Sequence, residues 1–319
     1  MTNTVPRRQL GASGVEVPRL ALGSWHTYDR MDFEDAVEVV ATAIDRGVNL
    51  FDVGVYGSPG QQPPAITDVL FSAIIRGAGV KREGWLLSEK LWMSGYDHGF
   101  RDQLSKALFR AGTDHADLAV LGDLHRDDLT MPEIVAAMQE LIDAGLIRAW
   151  GVNNWSAANI DALIDFAQAE GMTAPAFAQL KYSVARRSIP DGEPFARLFA
   201  RGFAFEASDV LEGGHLAGHR QVGREVGADP GGVRERLIGS LDEFARVAAE
   251  LGTTPAQLAV AFSLTHPANA VTLFGATRLS QLESNIAALD LVESLGADAI
   301  RAAVAPFWAD KDVVSPEGP

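Results

Sequence analysis

The chain has no cysteine, which excludes a disulfide framework, a thiolate nucleophile and a cysteine-type zinc site. It is also poor in basic side chains: 27 Lys and Arg stand against 42 Asp and Glu, a formal net charge of −15. No basic run forms a stripe able to track phosphates, so nucleic acid and anionic membrane are poor partners. No stretch reaches the roughly 18 unbroken apolar residues of a membrane span. Met1 to Leu10 is polar, with Arg7 and Arg8, and lacks the apolar core of a signal peptide. A soluble, cytoplasmic protein is expected. Metal ligands are scarce too. His215 and His219 are four apart in a glycine-rich loop, and neither they nor His26 and His98 have carboxylates placed for a metal, so none is expected. There is no low-complexity linker and no internal repeat beyond strand and helix. With 319 residues, 47% of them hydrophobic, we expect one domain spanning residues 1–319.

What is present is a rhythm of short apolar runs and amphipathic stretches. Residues 8–24 read as a hairpin turning at Gly11 and Gly14 and feeding a first strand that ends at Gly23. Asp32 is a plausible cap for a helix with apolar residues from Phe33 to Ile44, which Gly47 ends. Strands are then expected at 48–52, 85–91, 118–121, 147–152, 177–180, 203–205 and 270–274. Helices are expected at 66–75, 100–111, 132–144, 157–169, 237–251, 255–264 and 279–289, with a last amphipathic stretch at 300–308 and a polar tail after Lys311. A glycine-rich loop covers 211–218. Strands separated by helices of roughly 10 to 15 residues imply parallel pairing, and about eight such units without a composition break suggest closure into a barrel. A doubly wound sheet is the alternative, but Gly23-Ser-Trp25-His-Thr-Tyr28 is not the glycine pattern that cradles a pyrophosphate.

In a barrel the C-terminal strand ends converge, which gathers Trp25, Asp52, Tyr56, Lys90, the Gly122 to His125 segment, Asn153, Asn154, Gln179 and Arg278. A phenol beside a buried ammonium has its pKa lowered and can act as a general acid near neutral pH, while a carboxylate keeps the ammonium charged and aimed. Each residue has a plainer reading: Tyr56 as packing, Lys90 as a solvated charge, Asp52 as a turn cap, the amides as structural. Trp25, Trp92, Tyr96 and Phe100 suggest an aromatic wall or the packing of the barrel rim.

In order and spacing, these residues resemble the aldo-keto reductases over nearly the whole chain. The match runs through Arg8-Gln-Leu-Gly, Asn49-Leu-Phe-Asp52 with Tyr56-Gly57, Ser88-Glu-Lys90, Gly145 to Asn154, Gln179, and Gly275-Ala-Thr-Arg278 with Gln281 and Asn285. The resemblance implies a (β/α)8 TIM barrel with an N-terminal β-hairpin and an extra C-terminal helix, and NADPH-dependent carbonyl reduction without metal. It makes Tyr56 the proton donor tuned by Lys90 and Asp52. Asn153, Asn154 and Gln179 become holders of the nicotinamide carboxamide, and Arg278 the partner of the 2′-phosphate, with Gln281 and Asn285 beside the adenine. Ser24, Trp25, Asp52, Ser208, Leu211, Gly213, Gly275 and Thr277 complete the expected NADP(H) contacts.

Three departures from the family pattern stand out. The histidine ending strand four is replaced by Gly122, with Asp123 or His125 as loop substitutes; His125 is three residues further on, so regular pleating would turn it to the opposite face unless a bulge intervenes. The aromatic that stacks on nicotinamide falls at Ala207, before Ser208. Phe274 replaces a proline. Besides an NADPH-dependent oxidoreductase acting on a small-molecule carbonyl or imine-like acceptor, two readings stay open: an NADP-binding regulatory or interaction subunit, and a different reaction such as C=C reduction or dehydration. Oligomeric state is open.

Overall fold

The computed structural model describes residues 4–57, 64–222, 226 and 229–313. Strands β1 (Arg7–Gln9) and β2 (Glu16–Pro18) pair antiparallel. Then β3 (Leu20–Gly23), β4 (Leu50–Val53), β7 (Leu86–Leu91), β8 (Leu118–Leu121), β9 (Ala149–Asn153), β10 (Phe177–Lys181), β11 (Ala204–Ser208) and β12 (Asn269–Phe274) close an eight-stranded parallel barrel. Between β4 and β7, the short β5 (Val55–Tyr56) and β6 (Ala65–Ile66) form a separate two-stranded ladder.

The helices are α1 (Phe33–Asp45), α2 (Thr67–Gly77), α3 (Arg101–Ala111), α4 (Met131–Asp143), α5 (Ala157–Ala169), α6 (Glu193–Ala200), α7 (Val233–Glu250), α8 (Pro255–Leu264), α9 (Leu279–Ile286), α10 (Ala288–Leu295) and α11 (Ala297–Val304). Two have reciprocal caps: Thr130 with Glu133 on α4 and Thr254 with Gln257 on α8, each behind a first-turn proline. Such caps contribute about 0.5–2 kcal/mol apiece.

The barrel is therefore as the sequence predicts. Strand parity divides the core in two. Leu50, Leu118, Val120, Phe177, Ala204 and Val271 fill the barrel interior, and Leu10, Val15 and Val17 of the hairpin plug its base. The hairpin fits tightly because Gly11 (φ +53°) lies against Ala176, whose carbonyl oxygen would be 2.3 Å from any Cβ there. Residues of opposite parity, such as Phe51, Leu87, Leu121, Leu180 and Ala207, pack under the helices.

Several expectations are corrected. Asp32 holds the cap position of α1, yet its side chain makes no capping bond. The stretch 279–289 is broken at Ala287 into α9 and α10, and α11 follows, so two helices rather than one extend past α9. Helix α6 had no counterpart in the periodicity, because Pro190, Gly192 and Pro194 interrupt it. The 211–218 loop is wound as 3-10 turn, with Glu212 and Gly213 at positive φ. Residues 314–319 of the polar tail lie outside the described residues.

Candidate active site

At the C-terminal mouth of the barrel, inward parity places Asp52, Ser88, Lys90, Asn153, Gln179 and Glu206 around one space. Asp52 is 5% exposed. Its Oδ1 accepts from Ser88 Oγ at 3.3 Å and its Oδ2 from the Tyr56 hydroxyl at 3.2 Å. Tyr56 is carried on β5, where Ala65 pairs with it. Its ring stacks on Trp25 (centroids 5.6 Å apart, 16°) and meets Trp92 edge-on (6.0 Å, 81°). Below it, Ser24 Oγ and Thr67 Oγ1 lie 2.6 Å apart, and Thr67 Oγ1 donates to the Gly54 carbonyl, fixing α2 to the strand end.

Burial first, and then the charge of Asp52 and the hydrogen bond to it, push the Tyr56 phenol well above its ordinary pKa. This reverses the expectation that Lys90 lowers it. The register explains why. Asp52 pairs with Ser88, so Lys90 stands two residues farther along β7 and leans across the barrel. Lys90 Nζ donates to Gln179 Oε1 and, at 3.4 Å, to Asn153 Oδ1. Among the described residues no ion pair within 4 Å joins it to Asp52.

The remaining amide donors are unequally used. Asn153 Nδ2 and Asn154 Nδ2 (3.2 Å) both donate to Asp123 Oδ1. Gln179 Nε2 is buried with no partner. Asn154 takes φ +56°, which turns its side chain back to that carboxylate.

Gly122 follows directly on β8 with the inward parity of Leu118 and Val120, and Trp92 fills the space beside it: a Cβ on Gly122 would lie 2.5 Å from Trp92 Cε3. The indole N–H is committed to the Val55 carbonyl at 2.6 Å. His125 does not join the cluster. Its side chain is 83% exposed, and Nε2 is 3.8 Å from Asp123 Oδ2. Phe100 is fully buried beneath Tyr96 and packs the rim.

On β11, Ala207 is buried on the outward face, while Ser208, of inward parity, stands at the mouth. Leu211 and Gly213 lie on the following turn, which a buried ion pair of Arg186 with Glu212 (3.1 Å) fastens down. Across the mouth, Gly275 is exposed, and Thr277 donates through N (2.9 Å) and Oγ1 (3.1 Å) to Gln281 Oε1. Arg278 caps α9 as an exposed residue, and among the described residues no hydrogen bond or ion pair holds its guanidinium. Asn285 is buried one turn beyond Gln281.

Glu206 is a site residue that the sequence pattern does not predict. The expected strand ends at 205, whereas β11 runs to Ser208, so that Ala204, Glu206 and Ser208 share its inward parity. Among the described residues no group of three or more His, Asp or Glu could hold a metal, and no helix is long and apolar enough to cross a membrane.

A family model described as "Aldo/keto reductase family" matches residues 19–301. The chain is also similar to curated proteins. One is the "Putative voltage-gated potassium channel subunit beta" of Schizosaccharomyces pombe, 26% identical over 324 residues that cover 91% of this chain and 90% of the relative. Two called "Probable voltage-gated potassium channel subunit beta", from Oryza sativa subsp. japonica and Arabidopsis thaliana, are each 27% identical over 311 residues, covering 90% of this chain and 92% of theirs.

Proposed function

The chain belongs to the aldo/keto reductase family and has an oxidoreductase scaffold; on that premise we propose that it is a cytoplasmic NADPH-dependent reductase of a carbonyl-type acceptor, with Tyr56 as proton donor. The observation that carries this reading is a buried phenol at the same barrel mouth as an orphaned amide donor, Gln179 Nε2. NADPH, when bound, supplies the hydride. Gln179 Nε2 fits its carboxamide oxygen. Asn153 and Asn154 would join once their amides exchange Asp123 for it. Arg278, with a free guanidinium, suits the 2′-phosphate, where a planar fork binds two oxygens at once.

The raised pKa of Tyr56 keeps its proton in place at neutral pH. It does not prevent transfer, because an alkoxide is a far stronger base than a phenolate and takes the proton downhill. Asp52 holds the hydroxyl until an acceptor oxygen replaces it. Trp25 and Trp92 exclude water on two sides of the ring. The indole N–H beside Gly122 is already spent on Val55, so one expected oxyanion donor is missing there. By analogy with other oxyanion donors, its loss lowers kcat by roughly 10²–10³.

That loss, together with the potassium-channel names of the relatives, favours a second reading: an NADP-binding interaction subunit with slow turnover. NADPH oxidation by the purified protein over a panel of aldehydes and ketones, alongside Tyr56→Phe, decides between them. Turnover abolished in the variant supports the first reading, and equal rates refute Tyr56 as donor. Tight NADPH binding without acceptor consumption, plus a stable partner, supports the second.

A further inference from the structure

One ionisable group in the barrel is used by neither the proton donor nor the cofactor anchors. Glu206, in the middle of β11, turns inward and is 1% exposed. Its ladder neighbours are Gln179 of β10 and the apolar Val271 of β12. The charges that face it are Asp52 of β4 and Lys90 of β7. Glu206 Oε1 and Gln179 Nε2 are both buried without a hydrogen-bond partner. The amide is close enough to favour the carboxylate but falls short of hydrogen-bond geometry. Gln179 thus lies between two opposite groups, with its oxygen on the Lys90 ammonium and its nitrogen by the Glu206 carboxyl.

We propose that Glu206 is a positioning residue of this site: its carboxyl, once ionised, orients the Gln179 amide and balances Asp52 across Lys90, so that the ammonium rests on Gln179 and Asn153 and leaves Asp52 to the Tyr56 hydroxyl. This rests on the reading of the site as a nicotinamide-dependent one and adds the group that fixes its amide anchor.

The reasoning is electrostatic. A side-chain amide can turn end over end, and an ammonium at one end with a carboxyl at the other selects one orientation. Once ionised, Glu206 is a second buried anion facing Lys90 beside Asp52, and while it holds its proton Asp52 alone draws the ammonium. The ammonium then competes with the Tyr56 hydroxyl for the same carboxylate. Burial and the charge of Asp52 raise the proton affinity of Glu206, while Lys90 and the Gln179 amide lower it. Its ionisation, above the ordinary carboxylate range, is therefore the signature to look for.

The chain has five lysines, so the Lys90 resonance is resolvable in protein carrying 13Cε-lysine and is assigned with Lys90→Arg. In the wild-type protein that resonance is expected to show a step as Glu206 ionises. Glu206→Gln abolishes the step, and Glu206→Asp restores one. NADPH binding by calorimetry is expected to be roughly three- to tenfold tighter on the alkaline side of the step, the size of one modest hydrogen bond, and flat in Glu206→Gln. A wild-type Lys90 resonance without the step overturns the proposal, and this needs no variant to fold. So does the same pH dependence of NADPH affinity in wild type and Glu206→Gln. If NADPH does not bind at all, the cofactor reading fails, and the lysine resonance alone decides the Glu206–Lys90 coupling.

Discussion

Replacing Gly122 by alanine tests whether the ring of Trp92 truly owns the space beside Tyr56. The added Cβ would stand 2.5 Å from Trp92 Cε3, 2.9 Å from Cζ3 and 3.4 Å from Cδ2, whereas carbon atoms rest at about 3.5–4.0 Å. The ring must retreat by about 1 Å, and it is tethered. Its Nε1 donates to Val55, its backbone N–H to Gln103 Oε1 at 2.6 Å, and its carbonyl accepts from Gln103 Nε2 at 3.0 Å. Overpacking of this kind costs about 1–3 kcal/mol, and stretching the indole bond adds about 0.5–1.5 kcal/mol. Gly122→Ala should therefore destabilise by about 2–4 kcal/mol, read as a lower urea midpoint by circular dichroism. In a Trp92→Leu background the same change should cost at least about 1 kcal/mol less, because neighbours that share a space are not additive. A Gly122→Ala protein as stable as the wild type, or costs that simply add, would refute the reasoning.

Three further outcomes follow from the same contacts. Glu89 is fully buried between β7 and the helices, both carboxyl oxygens lack partners, and burial raises its pKa; stability tied to its proton is lost as pH rises through the folded value, so Glu89→Leu should stabilise by about 1–3 kcal/mol at pH 8 and by less at pH 5, measured by urea unfolding. Burial lowers the pKa of His266 from 6.5 to about 4, so the unfolded chain binds the extra proton and stability falls between those values on acidification. The loss is about 3 kcal/mol, and His266→Phe should flatten that slope in urea midpoints taken from pH 7 to 4.5. Asp123→Ala frees the amides of Asn153 and Asn154 and should tighten NADPH binding by roughly three- to tenfold; a weaker Kd would instead assign Asp123 to holding those amides in place.

What the sequence could reveal depended on whether a neighbour along the chain or a neighbour across the barrel decides the outcome. Helix α8 and strand β8 were placed to the residue, because Thr254, Pro255 and an unbroken apolar run are local signals. The direction of Lys90 was not local: it follows from Asp52 pairing with Ser88, a register visible only once β4 and β7 lie side by side. Gly122 was recognised as a departure, but its occupant came from another loop, at Trp92. Ala207, matched by likeness to the stacking aromatic, packs under the helices, an orientation that a motif without parity does not carry. Glu206 lies one residue past the strand expected at 203–205, and its inward parity follows only from the extension of that strand to Ser208.

The hairpin of β1 and β2 has a consequence for traffic. With Leu10, Val15 and Val17 stoppering the base and Leu50, Leu118, Val120 and Phe177 packed above them, nothing threads the barrel from that end, and Gln179 and Lys90 face the opposite mouth. Changes to the plug therefore act on stability rather than on the groups at the mouth.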